Sequence, residues 1–284
     1  MDTHKTISHA LAAGALALAV NTASAAPAHV QVTVTSNVPT GGVAITPVWV
    51  GFHNGSFDSY DGGAAAAGSL EALAELGMTG PISDVFAGTL VGDPVDGRVQ
   101  GAIADGGPIF NGGAPSMTFA LDDGGANNYF SYAAMVLPSN DFFIANGNPT
   151  AHDLSSLLSG AVNTISFNVG TVGTVNDAGT ENNDFAFSPN PPPFGLPAGD
   201  APGGEAGEGV ITNVVGDPFA GFANIPLGFD TSILNFNDVA QYANGIATIT
   251  FNVVPAPVPV PAALPLAVSS LGGMFAFMRR RKNS

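Results

Sequence analysis

Short apolar and polar alternations closed by turn residues recur along this chain, and they confine it to a fold built from many short strands. Residues 29–35 alternate without a break, with Val30, Val32 and Val34 on one side and Gln31, Thr33 and Thr35 on the other. Residues 246–254 alternate in the same way. A period of two puts one face of a strand on a core and the other in water. Between these ends, residues 43–52 read as a strand in which Pro47 marks an edge or a bulge. Residues 116–122 and 129–137 read as the arms of a hairpin across residues 123–128, and residues 164–169 as a further strand. A short helix over residues 65–76 follows from the apolar face of Leu70, Leu73, Ala74 and Leu76 and from the stop at Gly77. Residues 85–113 carry mostly loop signals, and residues 188–209, with Pro191, Pro192 and Pro193, form a long irregular surface loop. The 37 Gly and 22 Pro among 284 residues supply turns throughout. The expected fold class is therefore all-β, an antiparallel β-sandwich with one short helix.

The two ends have a different character. Residues 1–25 have the layout of a secretory signal peptide: Lys5 with His4 and His9, an apolar run over residues 10–20, then Ala23, Ser24 and Ala25 as the cleavage pattern. That run is too short to cross a membrane comfortably. At the other end Pro255, Pro257, Pro259 and Pro261 make a stiff extended spacer. The apolar residues 262–278 follow, about the minimum length of a transmembrane helix, and then Arg279, Arg280, Arg281 and Lys282. A basic cluster directly after an apolar run stays in the cytoplasm, which leaves the preceding domain outside. One domain, residues 28–254, is expected between a signal peptide and a sorting tail at 255–284.

Removing the ends exposes the charge of that domain. Lys5 and the four basic residues of the tail account for five of the six Lys and Arg, so Arg98 stands alone. Of the 22 acids only Asp2 falls in the signal, leaving 21 acids against one base and a formal charge of −20. Such a surface repels nucleic acid and anionic lipid and attracts cations. The absence of cysteine excludes disulfides, thiol catalysis and thiolate metal sites.

Asp177 and Glu181 lie four residues apart across Gly179, a spacing that lets two carboxylates converge on a hard cation if the loop folds back. An EF-hand is excluded, because its Asp-rich loop is missing. His53, Asp58 and nearby serines lack the Gly-x-Ser-x-Gly elbow of a hydrolase, so His53 is expected to cap a turn or pack at a sheet end. His29 and His152, expected on exposed segments, have no partner at zinc spacing. Phe142 and Phe143 are expected in the core.

Several segments together resemble the spondin domain. They are Ser131 to Phe143 with its Asn140-Asp141 pair, the Asp177-Ala178-Gly179-Thr180-Glu181 loop, the stretch from Val48 to Asp58, and the helix ending at Gly77. The resemblance covers roughly residues 28–254. It implies a C2-like β-sandwich with a calcium ion (Ca2+) near one end, held by Asp141, Asp177 and Glu181. It also places a further carboxylate at Asp122, or at its neighbour Asp123. The animal domains carry cysteines and this chain has none. Val258 to Leu266 followed by the Arg-rich end resembles the PEP-CTERM class of bacterial sorting signals in its Val-Pro-Leu-Pro-Ala variant, without the usual Pro-Glu-Pro. That resemblance implies export across the inner membrane of a Gram-negative bacterium, a transient anchor there, and cleavage by an exosortase-like processing enzyme.

Together these features lead to the expectation of a non-enzymatic, calcium-binding adhesion or binding module of the cell surface or extracellular matrix. Its partner would be an extracellular polysaccharide or a cell-surface protein. A secreted hydrolase of matrix polysaccharide, which would need a carboxylate pair in a cleft, and a purely structural matrix protein are the alternatives.

Overall fold

In the computed structural model, which describes residues 27–88, 97–122, 124–183, 207–220 and 228–256, the alternating segments become strands of two facing sheets. The elements in chain order are β1 (Ala28–Ser36), β2 (Ala44–Ile45), β3 (Val48–His53), α1 (Gly68–Leu76), α2 (Gly80–Ala87), β4 (Val99–Ile103), β5 (Ser116–Leu121), β6 (Tyr129–Leu137), β7 (Phe142–Ala145), α3 (Ser155–Leu158), β8 (Thr164–Val169), β9 (Val175–Asp177), β10 (Thr212–Asn213) and β11 (Ala247–Val254). A short 3-10 turn covers Thr231–Ile233. One sheet has the order β5-β1-β11-β8; the other runs β10-β9-β7-β6-β3-β4, with β2 also on β6. Every recorded strand pairing is antiparallel. The fold is an all-β sandwich, as the alternation requires.

The four-stranded sheet has one wet face, and its strands show it. Val30, Val32 and Val34 of β1 and Ile249 and Phe251 of β11 point into the core without exposure, while their outward neighbours are half-buried or exposed. The second sheet is covered on both sides. On β3, Val48, Val50 and Phe52 face the sandwich, while Trp49 packs with α1 and α2 on the opposite face. On β7, Phe142 and Ile144 belong to the inner core, Phe143 and Ala145 to the helical layer. All of β3 and β7 is therefore buried, and such strands read as continuous apolar runs rather than alternations.

Several details depart from the sequence reading. Residues 43–52 form two strands, β2 and β3, interrupted at Thr46 and Pro47. A second helix, α2, follows α1 directly; Pro81 opens it and Gly88, at φ 75°, closes it in the left-handed conformation. β5 and β6 do not form a hairpin: β5 pairs with β1 in one sheet and β6 with β3 and β7 in the other. The buried Asn127 directs that crossing. Its Oδ1 accepts from the Asp122 N–H at 2.8 Å, and its Nδ2 donates to the Gly97 carbonyl at 2.6 Å. The signal peptide, the sorting tail, most of the 188–209 loop and Asp123 lie outside the described residues. No helix among the described residues is long and apolar enough to cross a membrane.

The domain's only base is spent on packing. Arg98 donates from Nη1 to the Phe86 carbonyl in the last turn of α2, and its guanidinium carbon sits 4.9 Å from the Phe86 ring centre and 5.6 Å from that of Phe57.

Candidate metal centre

Strand register brings the two acidic loops together. β7 pairs antiparallel with β9 so that Phe142 stands opposite Asp177. Asp141, one residue before β7, consequently meets the residue just after β9, and the Ala178 N–H donates to the Asp141 carbonyl at 3.2 Å. The turn from β6 into β7 is fixed by Ser139, whose Oγ accepts from the Phe142 N–H at 2.9 Å. The second loop is held open by glycine. Gly179 has φ 66°, and a Cβ there would lie 2.4 Å from the Val210 carbonyl oxygen, so no other residue fits this crossing of two backbones.

The side chains at this junction are buried. Asp141 has no exposure, Asn140 and Glu181 1% and Asp177 6%. Asp141 Oδ2 accepts from the Thr180 and Glu181 N–H groups at 3.1 Å each. Asp177 Oδ1 accepts from the Gly179 N–H at 2.7 Å and its Oδ2 from Asn183 Nδ2 at 2.8 Å. Asp141 Oδ1 receives no N–H or O–H donor, and Asn140 Oδ1 receives none either. The Thr180 hydroxyl also donates to Asp141 Oδ2, at 3.4 Å; the Asp177 carboxyl, within hydrogen-bonding reach as well, is itself an acceptor, so the two acids can bond only when one holds a proton. Burial above all, and then the Asp177 charge, push the Asp141 carboxyl up to about 8; the Thr180 and Glu181 N–H groups oppose that shift. Asp177 is raised too, chiefly by burial.

Of the four carboxylates expected at the site, the structure brings together Asp141 and Asp177. Glu181 joins them through its backbone N–H, and the residue is buried. Asp122 is not part of this centre. It precedes β6 whereas Asp141 follows it, and nine residues of strand separate the ends by roughly 25 Å at strand rise. Its Oδ1 instead accepts from the Gly124 N–H at 2.8 Å and closes a local turn. Among the described residues no three carboxyl or imidazole groups converge. Sequence reasoning did not single out Asn140, which adjoins Asp141 in the same turn and whose buried Oδ1 has no donor. The free acceptors at this junction are oxygens, Asp141 Oδ1 and Asn140 Oδ1, beside the buried Asp177 carboxylate. That chemistry suits calcium, with water completing the shell.

His53 and His152 serve packing. His53 is fully buried; its Nδ1 accepts from the Gly55 N–H at 3.0 Å, so the proton resides on Nε2, 3.0 Å from Ser131 Oγ. A ring that presents N–H to a serine cannot take that serine's proton, and Ser131 is itself fully buried. His152, expected on an exposed segment, stacks on Phe130 with centroids 4.7 Å apart. Burial lowers both rings to about 4, with the Arg98 charge adding to the effect at His53. Below pH 6.5 the unfolded chain binds protons that the folded one refuses. The histidines' contribution to stability is complete above that value, falls between pH 6.5 and about 4, and levels below. In His152→Leu that acid limb is shallower by about 2 kcal/mol, read as the change in denaturation midpoint between pH 7 and pH 4.

No model of a known protein family matches the chain, and no curated protein does either.

Proposed function

We propose that this chain is an exported, calcium-dependent binding module of the spondin type that acts at the cell surface or in the extracellular matrix and has no catalytic role. The observation that carries the reading is the buried Asp141 and Asp177 pair, with an oxygen of Asp141 and one of Asn140 left without a donor. Two buried carboxylates in contact repel unless a proton or a cation lies between them. A cation here ties the β6–β7 turn to the loop after β9 and acts as a structural clamp. Asp141, Asp177 and Glu181 are the protein residues assigned to it.

The locked His53 tautomer supports the non-catalytic reading. The acidic domain supports an extracellular polysaccharide or cell-surface protein, and not nucleic acid, as partner. Residues 255–284 are assigned the transient membrane anchor and the exosortase-like cleavage, on their sequence pattern.

The deciding measurement is the melting temperature of the purified protein in calcium, in magnesium at equal ionic strength, and in excess chelator. A ligand bound only by the folded state adds about 2.7 kcal/mol at a hundredfold excess over its dissociation constant. Calcium raises the melting temperature above both other conditions. Coincident melts in all three would overturn the assignment.

A further inference from the structure

The two sheets of the sandwich are finished differently on the outside. Helices α1 and α2 cover the outer face of the larger sheet. Among the described residues nothing covers the outer face of the four-stranded one, whose outward side chains are half-buried or exposed. Register aligns these side chains in rows across the strands. Ser116, Thr33, Thr250 and Ser166 make one complete row through β5, β1, β11 and β8. The rows on either side continue with Thr, Asn and Gln. None of the domain's 21 acids lies on β1, β5, β8 or β11, nor does Arg98.

The rows are tied laterally as well as wetted. Ser166 Oγ and Thr250 Oγ1 are 3.0 Å apart, Thr164 Oγ1 donates to Asn252 Oδ1 at 2.7 Å, and Thr248 Oγ1 donates to Asn168 Oδ1 at 3.0 Å. Each such bond fixes two rotamers before any ligand arrives, which lowers the ordering cost of binding. The result is a neutral array of hydroxyls and amides, spaced about 4.8 Å between strands and about 6.6 Å along them.

We infer that this face binds a neutral, hydroxyl-rich polymer: an uncharged polysaccharide lying across the strands. The inference rests on the proposed role as an extracellular binding module and names its surface and its ligand class. Charge selects the ligand. A polyanion is repelled by a domain of formal charge −20, a polycation is drawn to the acidic loops away from these strands, and a neutral glycan meets donors and acceptors of its own kind.

The test is depletion of the purified protein, in calcium, by insoluble cellulose and by alginate, with Thr250→Lys and Ser166→Glu as surface variants and melting temperature as the check on folding. Cellulose retains the wild-type protein, alginate does not, and each variant binds cellulose about tenfold or more weakly at an unchanged melting temperature. Ser166→Glu, at the exposed edge strand β8, serves if Thr250→Lys fails to fold. Equal retention of wild type and variants overturns this face as the site while leaving a glycan-binding module standing. Retention on alginate, or self-association in place of glycan binding, overturns the ligand class. Failure to bind cellulose by a protein that calcium still stabilises overturns this inference alone, and loss of the calcium effect tells against the metal centre.

Discussion

Asp141→Asn melts higher than the wild-type protein in chelator and lower than it in calcium. The amide keeps an oxygen where Asp141 Oδ2 accepts the Thr180 and Glu181 N–H groups, so the local hydrogen bonds survive. It removes the charge that burial and Asp177 make costly. Without metal that is a gain of about 1–3 kcal/mol. With metal it is a loss of similar size, because a formal negative charge has left the coordination shell. The sign with pH follows from the raised carboxyl. Well below pH 4 the wild-type Asp141 is protonated in both folded and unfolded chains, and the variant has no advantage. Between pH 4 and about 8 the unfolded chain ionises first, so the penalty and the advantage of the variant in chelator both grow, and above pH 8 they are constant. Melts by circular dichroism at pH 5 and pH 8.5, each in calcium and in chelator, check the crossing. A variant that melts with the wild type in all four conditions would remove Asp141 from any metal site.

Trp49→Ala costs about 3–5 kcal/mol, the largest loss expected from a single side chain here. Trp49 is fully buried between the larger sheet and its helices, with the Phe57 ring 5.5 Å away and the Phe86 ring 5.1 Å away. Its Nε1 donates to Gln100 Oε1 at 2.9 Å, so truncation also leaves that amide without its donor. The room for the indole comes from Gly51, where a Cβ would lie 2.6 Å from the ring. The denaturant midpoint followed by far-ultraviolet circular dichroism reads the loss, since the substitution removes the only tryptophan. Trp49→Phe retains most of the packing and falls between the two. A midpoint for Trp49→Ala within 1 kcal/mol of wild type would mean that the helical layer contributes little to the domain.

What the sequence discloses of this fold depends on which faces meet water. β1 and β11 were legible because Val30, Val32, Ile249 and Phe251 alternate with solvent-facing threonines. β3 and β7 lack that signature, since helices bury their second face, and Pro47, a signal of an edge or a bulge, falls in the break between β2 and β3. The second helix had its own signal in Pro81 and Gly88, hidden because an eight-residue helix carries little more than two turns of periodicity. The supposed hairpin failed on chain direction. Residues 116–137 contain two good strands and a turn, but Asn127 bonds to Gly97 and sends the second strand into the opposite sheet. Asp122, which the resemblance sets at the site, lies at the other end of β6, because nearness to a strand in sequence does not say which end of it a residue occupies. Asp141 and Asp177, 36 positions apart, meet through a strand register that no local pattern encodes.

The docking of Arg98 bears on how long such a domain lasts outside a cell. Proteases of the trypsin type cut after lysine or arginine, and residues 28–254 offer them this one bond. Its guanidinium is already engaged by the Phe86 carbonyl and two aromatic rings. To reach a protease's specificity pocket it must leave the helical layer, and cleavage then waits on local opening of the structure. A composition that reads as an excess of acid is, by the same measure, a chain from which one large class of digestive enzymes has almost nothing to take.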